Sequence, residues 1–304
     1  MAATGEEVVD SAAEEESPED EWKNIPVIKF TFNDTKDEQK QTQNSGDSNE
    51  FQSLDQLGIK IASVDKPKYT YEHALNELRE RNFTNEKKEI NYQPPKSFFC
   101  CGPQLLSEGL VDDIETFLSL SKVKVDNVQE FRDMLSSLYE KLIGKKPASS
   151  IGSHWEALGF QGNDPRSDFR SGGILSLLQM LFISYEYPTL SKYILNLSQN
   201  EATMFPFAVI GINLTSYCVE AAYGRKTVSE IKKTRNVFFT LNRLQAASYL
   251  HLYRIWKQGK KTIHDTAQVL QDVKSATINN PNQLLKDFDS ASQINFSEDL
   301  FGIN

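Results

Sequence analysis

Apolar side chains recur at helical spacing along most of the chain from Tyr69 onward. Residues three and four positions apart share one face of an α-helix, so this spacing predicts a series of amphipathic helices. The first of them carries Tyr71, Ala74, Leu75 and Leu78. Asp126 or Asn127, followed three residues later by Gln129 or Glu130, resembles a capping box that opens another helix, and Gly144 ends it.

The same spacing predicts further helices, several of them apolar all round and therefore buried. Thr262 with Asp265 resembles a second helix cap, and no run of strands or internal repeat is visible. The chain is therefore predicted to be all-α. The remaining helical segments are 106–118, 173–184, 190–198, 207–222, 234–257 and 262–276.

The N-terminal part of the chain has a different composition. It is poor in apolar residues and rich in Glu, Asp, Gln, Asn and Ser, so it cannot bury enough surface to offset the entropy cost of ordering. One apolar island at 25–32 alternates at strand period and is either a sticky stretch or a short docking motif. The predicted organisation is a disordered acidic tail at 1–66, a helical extension packing on the domain at 67–125, a helical domain at 126–287 and a flexible tail at 288–304.

Charge and composition exclude several classes of function. The chain has 33 basic and 42 acidic residues, and nine of the acids lie within residues 1–22, which contain no Lys or Arg. The rest is close to neutral, whereas a strong nucleic-acid binder needs a basic excess. No signal peptide or membrane-spanning run is visible, and three cysteines build neither a disulfide framework nor a zinc site. We therefore expect a soluble cytoplasmic protein that binds no nucleic acid and has no transmembrane segment.

Signatures of catalysis by the chain itself are also weak. Gly144-Lys-Lys, Gly224-Arg-Lys-Thr and Gly259-Lys-Lys-Thr lack the upstream glycine and the strand-to-helix context of a phosphate loop. The four histidines have no metal-ligand spacing, and no nucleophile-elbow context is present. The Cys100-Cys101 pair is either part of a packed linker or a site of reversible palmitoylation. No cofactor, metal site or intrinsic catalysis is expected.

One segment, 154–181, is unlike generic helical protein. Glycines, Pro165 and two aspartates make a long irregular loop that ends in Asp168-Phe169-Arg170 and feeds glycines into an apolar helix. Two interpretations are open: a structural loop with buried aromatic plugs and Arg170 paired to an acid, or an active or partner-binding loop. The plugs would be Trp155, Phe160 and Phe169.

The loop resembles the signature of the ELMO domain, and the chain resembles the third group of paralogues in that family over roughly 69–286. Ser167, Ser171 and Met180 depart from the signature, where the family has Thr, Gly and Leu, and Ser171 is the departure closest to Arg170. The matching residues are Trp155, Gly159, Phe160, Gln161, Pro165, Asp168, Phe169, Arg170, Gly173 and Leu177.

The resemblance implies an ELMO-domain fold and a GTPase-activating protein for an Arf-family or Arf-like GTPase in its GTP form. It implies that Arg170 is the catalytic residue, supplied in trans, with Asp168 and Gln161 orienting it or holding the loop. The resemblance leaves open an association with the cytoskeleton or the cilium. The alternative function is a non-catalytic adaptor that binds a small GTPase or a cytoskeletal partner, with Arg170 then in a structural ion pair.

Overall fold

The computed structural model describes residues 69–81, 83–94, 106–293 and 296. Within these ranges the chain forms α-helices joined by loops and short 3-10 turns, and it contains no strand, so the predicted all-α fold is confirmed. The apolar island at 25–32 and the Cys100-Cys101 pair lie outside the described residues. The α-helices are α1 (Tyr71–Glu80), α2 (Thr84–Lys88), α3 (Glu108–Leu120), α4 (Phe131–Ile143), α5 (Gly173–Glu186), α6 (Pro188–Ser198), α7 (Phe207–Tyr223), α8 (Val228–Thr234), α9 (Val237–Gln258), α10 (Thr266–Asn279) and α11 (Pro281–Gln293).

The longest described helix, α9, lies at the centre of the bundle. It begins where the Asn236 side chain accepts a hydrogen bond from the Phe239 backbone N–H at 2.9 Å, which satisfies one of the free donors of the first helical turn. Helices α3, α5, α6, α7, α8, α10 and α11 all pack on it. Its residues are accordingly buried over most of its length, from Val237 to Trp256.

Helices α5 and α7 are almost entirely buried, as their continuous apolar sequences predict. Three polar residues within this core are hydrogen-bonded to one another. Gln179 donates to the Leu241 carbonyl at 3.1 Å and to Asn242 Oδ1 at 3.2 Å, and Asn242 donates to the Tyr71 hydroxyl at 2.8 Å. Helix α1 is therefore joined to α5 and α9 through the interior, since Asn242 and Gln179 belong to those helices.

Several helix ends differ from the sequence prediction. The capping box at 126–130 is wrong, because 125–127 forms a 3-10 turn and α4 starts at Phe131 with no side-chain cap from Glu130. The capping box of Thr262 and Asp265 is present. Three helices were not anticipated: α2, within the charged segment after α1, α8 and α11.

The packed residues continue past position 287. Helix α11 runs to Gln293, and the Phe296 ring lies 5.6 Å from the Phe288 ring and 5.9 Å from the Tyr187 ring. Phe288 and Phe296 are both buried. Among the described residues, no helix is long and apolar enough to cross a bilayer.

Candidate functional site

The irregular segment between α4 and α5 is anchored by a chain of aromatic rings. The Trp155 ring lies 5.1 Å from Tyr139 of α4 and 6.2 Å from Phe160. Phe160 is 5.6 Å from Phe169, which is in turn 5.4 Å from Phe131 at the start of α4. Trp155, Phe160 and Phe169 are 1%, 0% and 3% exposed, so the three predicted plugs lie in the core.

Gly159 fixes the middle of the loop on α7. Its φ is +77°, and an added Cβ would lie 2.4 Å from the Phe207 backbone nitrogen, which leaves no room for a side chain. The Gly159 carbonyl also accepts from the Val209 N–H at 3.4 Å. Gln161 and Pro165 lie on either side of the exposed turn that contains Gly162, and Pro165 is buried as the first residue of a 3-10 turn (Pro165–Asp168).

Asp168 is the last residue of that turn, and its side chain is buried. It is 1% exposed, and its Oδ2 accepts a hydrogen bond from the Gln161 backbone N–H at 2.7 Å. Burial raises the pKa of Asp168 to about 6, and the Gln161 hydrogen bond and the nearby Arg170 charge oppose that rise. The backbone N–H of Gln161 therefore supplies a contact that holds the loop.

Arg166, at the start of the same turn, is held by two carboxylates. Its Nε lies 3.0 Å from both carboxylate oxygens of Asp164, and its Nη2 lies 2.6 Å from Asp164 Oδ2. Its Nη1 lies 3.5 Å from Asp126 Oδ1. The Arg166 fork lowers the pKa of Asp164. Arg166 is thus a neutralised cation with a fixed position.

Arg170 has a different environment, although it follows Arg166 by only four residues. Its side chain is exposed, and no hydrogen bond or ion pair joins it to any residue in the described ranges. The backbone beside it is fixed, because the Phe169 carbonyl accepts from the Gly173 N–H at 3.0 Å and the Phe169 ring is buried. The loop therefore presents, from an anchored backbone, an exposed guanidinium that makes no hydrogen bond or ion pair within the described ranges.

Gly173 brings a distant part of the chain to this position. It has a φ of +52°, and an added Cβ would lie 2.6 to 2.8 Å from the carbonyl oxygens of Val123, Leu120 and Ser121. The next residue, Ile174, donates its N–H to the Val123 carbonyl at 3.0 Å. The segment that follows α3 is consequently packed against the end of the loop.

The two segments form the walls of a cleft of about 170 Å³. Arg166 and Arg170 contribute from the loop, and Lys122 and Lys124 contribute from the segment after α3. Asp126 is the acidic residue of the lining. Asp126 pairs with Arg166, so Lys122, Lys124 and Arg170 leave an excess of positive charge in the lining, and the cleft favours an anionic group.

The comparison with known protein families matches the region of the chain that contains this loop. The sequence model of the ELMO/CED-12 family matches residues 116–270, which include the whole loop, the segment after α3 and the central helix α9. The chain belongs to the ELMO/CED-12 family. Members of this family are related to the regulation of small GTPases.

The similar curated proteins are ELMO domain-containing proteins. The chain is 30% identical over 237 residues to ELMO domain-containing protein 3 of Bos taurus, an alignment that covers 74% of this chain and 62% of the relative. It is 31% identical to the Homo sapiens protein of the same name over 189 residues, 61% of this chain and 50% of that one. With ELMO domain-containing protein 2 of Homo sapiens it shares 32% identity over 136 residues, 43% and 46% of the two chains. The chain thus spans half to 62% of the length of the first relatives, and no solved structure matches it.

Ser171, which replaces a glycine of the ELMO signature, fits the loop without backbone strain. Its φ is not in the positive range that would require glycine. Its hydroxyl is buried without a hydrogen-bond partner in the described structure. The substitution therefore leaves the backbone path to Arg170 intact.

Lys122 and Lys124 are the residues of this ELMO-domain cleft that sequence reasoning missed. They lie more than 40 positions before Arg170 in a segment without a recognisable motif. The contacts of Gly173 and Ile174 with 120–123, together with the ion pair of Arg166 with Asp126, bring them to the loop. The position of the two lysines beside the loop depends on tertiary contacts, and no local sequence pattern predicts it.

A second cleft, of about 230 Å³, lies on the other side of Arg166. Its lining is more apolar and includes Phe131, Leu135 and Trp155. Ile151, at its edge, is 54% exposed, which is unusual for a large aliphatic side chain in this structure. Arg166 belongs to both clefts and separates the cationic one from the apolar one.

Proposed function

We propose that this chain is a GTPase-activating protein for a small GTPase of the Arf or Arf-like family, and that Arg170 is the arginine it supplies in trans. The observation that carries the proposal is the exposed and unpaired Arg170 on an anchored backbone at the rim of a cationic cleft. The bound GTP and its Mg²⁺ belong to the partner. This chain provides a positioned cation and a docking surface.

The chemistry of GTP hydrolysis explains why such a cation is useful. Negative charge is spread over the oxygens of the transferred phosphoryl group in the transition state, and a guanidinium offers permanently charged donors to two of those oxygens. An arginine supplied in trans accelerates hydrolysis by about 10³ to 10⁵, which corresponds to about 4 to 7 kcal/mol of barrier. No proton transfer by this chain is needed.

Three contacts position Arg170 for that role. Asp168, turned inward onto the Gln161 N–H, holds the preceding turn without taking the guanidinium into an ion pair. Phe169 is fixed in the aromatic chain, and Gly173 fixes the other end against the segment after α3. Because the backbone is already ordered, little conformational entropy is lost on placing the side chain.

Lys122 and Lys124 support the docking of a nucleotide-loaded partner. Bound GTP leaves negative charge near the surface of a GTPase, and cations on the opposing rim steer association and fix orientation. The cleft supplies those cations beside Arg170. Arg166, neutralised by Asp164 and Asp126, contributes less free charge.

The test is single-turnover GTP hydrolysis by a panel of Arf and Arf-like GTPases, with Arg170→Lys compared against Arg166→Lys. Lysine keeps the charge but loses the planar fork that spans two oxygens. We expect Arg170→Lys to fold normally, to bind the GTP-loaded partner with similar affinity and to lose most of the stimulated hydrolysis. Arg166→Lys should retain stimulation within a few-fold.

Full stimulation by Arg170→Lys would overturn the catalytic role. Retained binding of a GTPase by a wild-type chain that stimulates no member of the panel would instead support the adaptor function. A fall in stability for Arg170→Lys would contradict the exposed, unpaired environment. Thermal melting of both variants separates that outcome from a loss of catalysis.

A further inference from the structure

An exposed segment without regular structure joins α4 to the loop. Residues 144–152 form no helix or strand, and none of them is buried. Lys145, Lys146, Ser149 and Ser150 are exposed. A peptide must be accessible over several consecutive residues to enter the active site of an enzyme that modifies it. This segment meets that requirement without any unfolding of the domain.

A pair of cations precedes one of its serines. The order Lys145-Lys146-Pro147-Ala148-Ser149 places two positive charges four and three positions before a hydroxyl. Protein kinases select substrates by the charges around the acceptor hydroxyl, and several of them bind cations at this distance through their own acidic residues. Elsewhere in the chain one hydroxyl has the same spacing, that of Ser229 after Arg225 and Lys226. The sequence therefore offers two candidate acceptors.

The structure distinguishes the two serines. Ser229 lies in the first turn of α8, and Thr227, between the cations and the serine, is 0% exposed. An enzyme could reach that hydroxyl in an extended peptide only after Thr227 had left the core. The Ser149 hydroxyl donates to the Ile151 carbonyl within the exposed segment, and this bond can be released while the core stays intact. Ser149 is therefore the accessible acceptor.

We propose that Ser149 is a phosphorylation site for a protein kinase that binds the Lys145-Lys146 pair. The Ser149 Oγ forms a bond to the γ-phosphorus of ATP, and the bond between that phosphorus and the β–γ bridging oxygen breaks. ADP leaves with the bonding electron pair, and the catalytic aspartate of the kinase accepts the hydroxyl proton. The product carries about 1.5 to 2 negative charges at neutral pH.

The phosphate would lie in the lining of the apolar cleft. Ser149 and Arg166 both line this cleft of about 230 Å³. The Gly152 N–H donates to the Asn163 carbonyl at 2.8 Å, so the segment is held against the part of the loop that contains Arg166. A phosphate at Ser149 therefore enters the environment of the Arg166 fork. The charged residues of the lining are Arg132, Asp133, Asp164 and Arg166.

Phosphorylation changes the balance of charge around Arg166. A guanidinium binds phosphate oxygens through two parallel hydrogen bonds, and the phosphate carries more negative charge than the carboxylate of Asp164. The two groups therefore compete for one fork. Arg166 also lines the cationic cleft, so the new charge lowers the positive potential beside Arg170. The phosphorylated chain should bind an anionic partner at that cleft more weakly.

The test is incubation of the full chain with ATP and either the catalytic subunit of cyclic-AMP-dependent protein kinase or protein kinase C. Both kinases select serines that follow cations. Peptide mass spectrometry then locates the phosphate, which we expect on Ser149. Ser149→Ala should abolish the modification, and Ser150→Ala should retain it. Phosphate on Ser150 or Ser229 in place of Ser149, or no phosphate with either kinase, would overturn the proposal.

The chain offers a matched pair of charge variants. Lys145→Gln/Lys146→Gln should lower the initial rate of phosphorylation about 10-fold or more, because two charge pairs with the kinase are lost. Arg225→Gln/Lys226→Gln removes the same charge at the same spacing before Ser229 and should leave the rate unchanged. Equal rates in the two double variants would show that the cation pair does not direct the kinase, which contradicts the proposal.

Phosphorus NMR tests the position of the phosphate. The second pKa of phosphoserine is about 6, and the neighbouring Arg166 charge should hold that pKa lower, because a cation favours the dianion. Arg166→Gln should return the pKa to about 6, whereas Arg170→Gln, outside the apolar cleft, should leave it unchanged. A pKa that does not respond to Arg166→Gln would overturn the placement of the phosphate in the cleft. None of these outcomes depends on GTP hydrolysis.

Discussion

Two triplets in the loop have the same pattern, an aspartate followed two residues later by an arginine, but opposite geometries. In Asp164-Pro165-Arg166 the aspartate is half-exposed and holds the arginine in a fork. In Asp168-Phe169-Arg170 the aspartate is buried, bonds the Gln161 N–H and leaves the arginine in solvent. An aspartate that is buried on a backbone N–H leaves the arginine two residues later without an ion pair, whereas a more exposed aspartate pairs with it. The sequence pattern alone does not distinguish the two cases.

The largest expected effect comes from removing the aromatic support behind the second triplet. Trp155→Ala should lower the free energy of unfolding by about 3 to 5 kcal/mol, because a fully buried ring leaves a cavity beside Phe160 and Tyr139. Urea unfolding measures it. Ile151→Ala, at an exposed position of the same loop, should cost less than about 1 kcal/mol, and similar losses in both variants would contradict the burial of Trp155.

The buried carboxylate of the second triplet should make stability depend on pH. Its folded-state pKa of about 6 lies above the ordinary aspartate value of 3.8. The folded chain therefore binds more protons than the unfolded chain between those values, and stability falls as the pH rises through that window. The free energy of unfolding falls by up to about 3 kcal/mol across this window. The loss is nearly complete once the pH is above 6.

Asp168→Asn should remove this slope. We expect the unfolding free energy of the variant, relative to wild type, to increase by up to about 3 kcal/mol between pH 4 and pH 7. For Asp164→Asn the corresponding change should have the opposite direction and fall below about pH 4, because the Arg166 fork lowers the Asp164 pKa below its ordinary value of 3.8. Parallel pH profiles for wild type and Asp168→Asn would show that this carboxyl is not buried.

Two glycines of the loop separate backbone strain from contact with the core. Gly159 and Gly162 have nearly equal φ values, +77° and +75°, but an added Cβ meets α7 at Gly159 and nothing within 4 Å at Gly162. Gly162→Ala should therefore show only the cost of the left-handed backbone, about 1 kcal/mol. Gly159→Ala should cost about 1 to 3 kcal/mol more, measured as the difference in unfolding midpoints. Equal costs would mean that the loop can move away from α7.

The smallest expected effect concerns the first triplet. Asp164→Asn removes an exposed ion pair and should lower the unfolding free energy by no more than about 1 kcal/mol at neutral pH. If Arg170 alone acts in catalysis, freeing Arg166 should leave stimulated GTP hydrolysis within a few-fold of wild type. If stimulated GTP hydrolysis depends strongly on Asp164, the first triplet rather than Arg170 supports catalysis.

Much of this architecture was accessible from the sequence because it depends on local periodicity. The apolar runs of α5 and α7 predicted buried helices, and the aromatic residues of a glycine-rich loop predicted plugs that are indeed buried. The capping box before α4 failed because residues 125–127 turn toward the loop instead of starting the helix. The lysines of the cleft and the different partners of Asp164 and Asp168 depend on contacts between distant segments, which a periodic pattern does not encode.

The hydrogen bond from Ile174 to the Val123 carbonyl, with Gly173 seated among the carbonyls of 120–123, has a kinetic consequence. It joins the two walls of the cleft, which come from segments more than 40 residues apart, at the first turn of a buried helix. Opening the cleft would require breaking that turn, so its width should fluctuate little on the timescale of an encounter. A partner then meets a surface of fixed shape, and its association rate should follow diffusion and ionic strength rather than a preceding rearrangement of this chain.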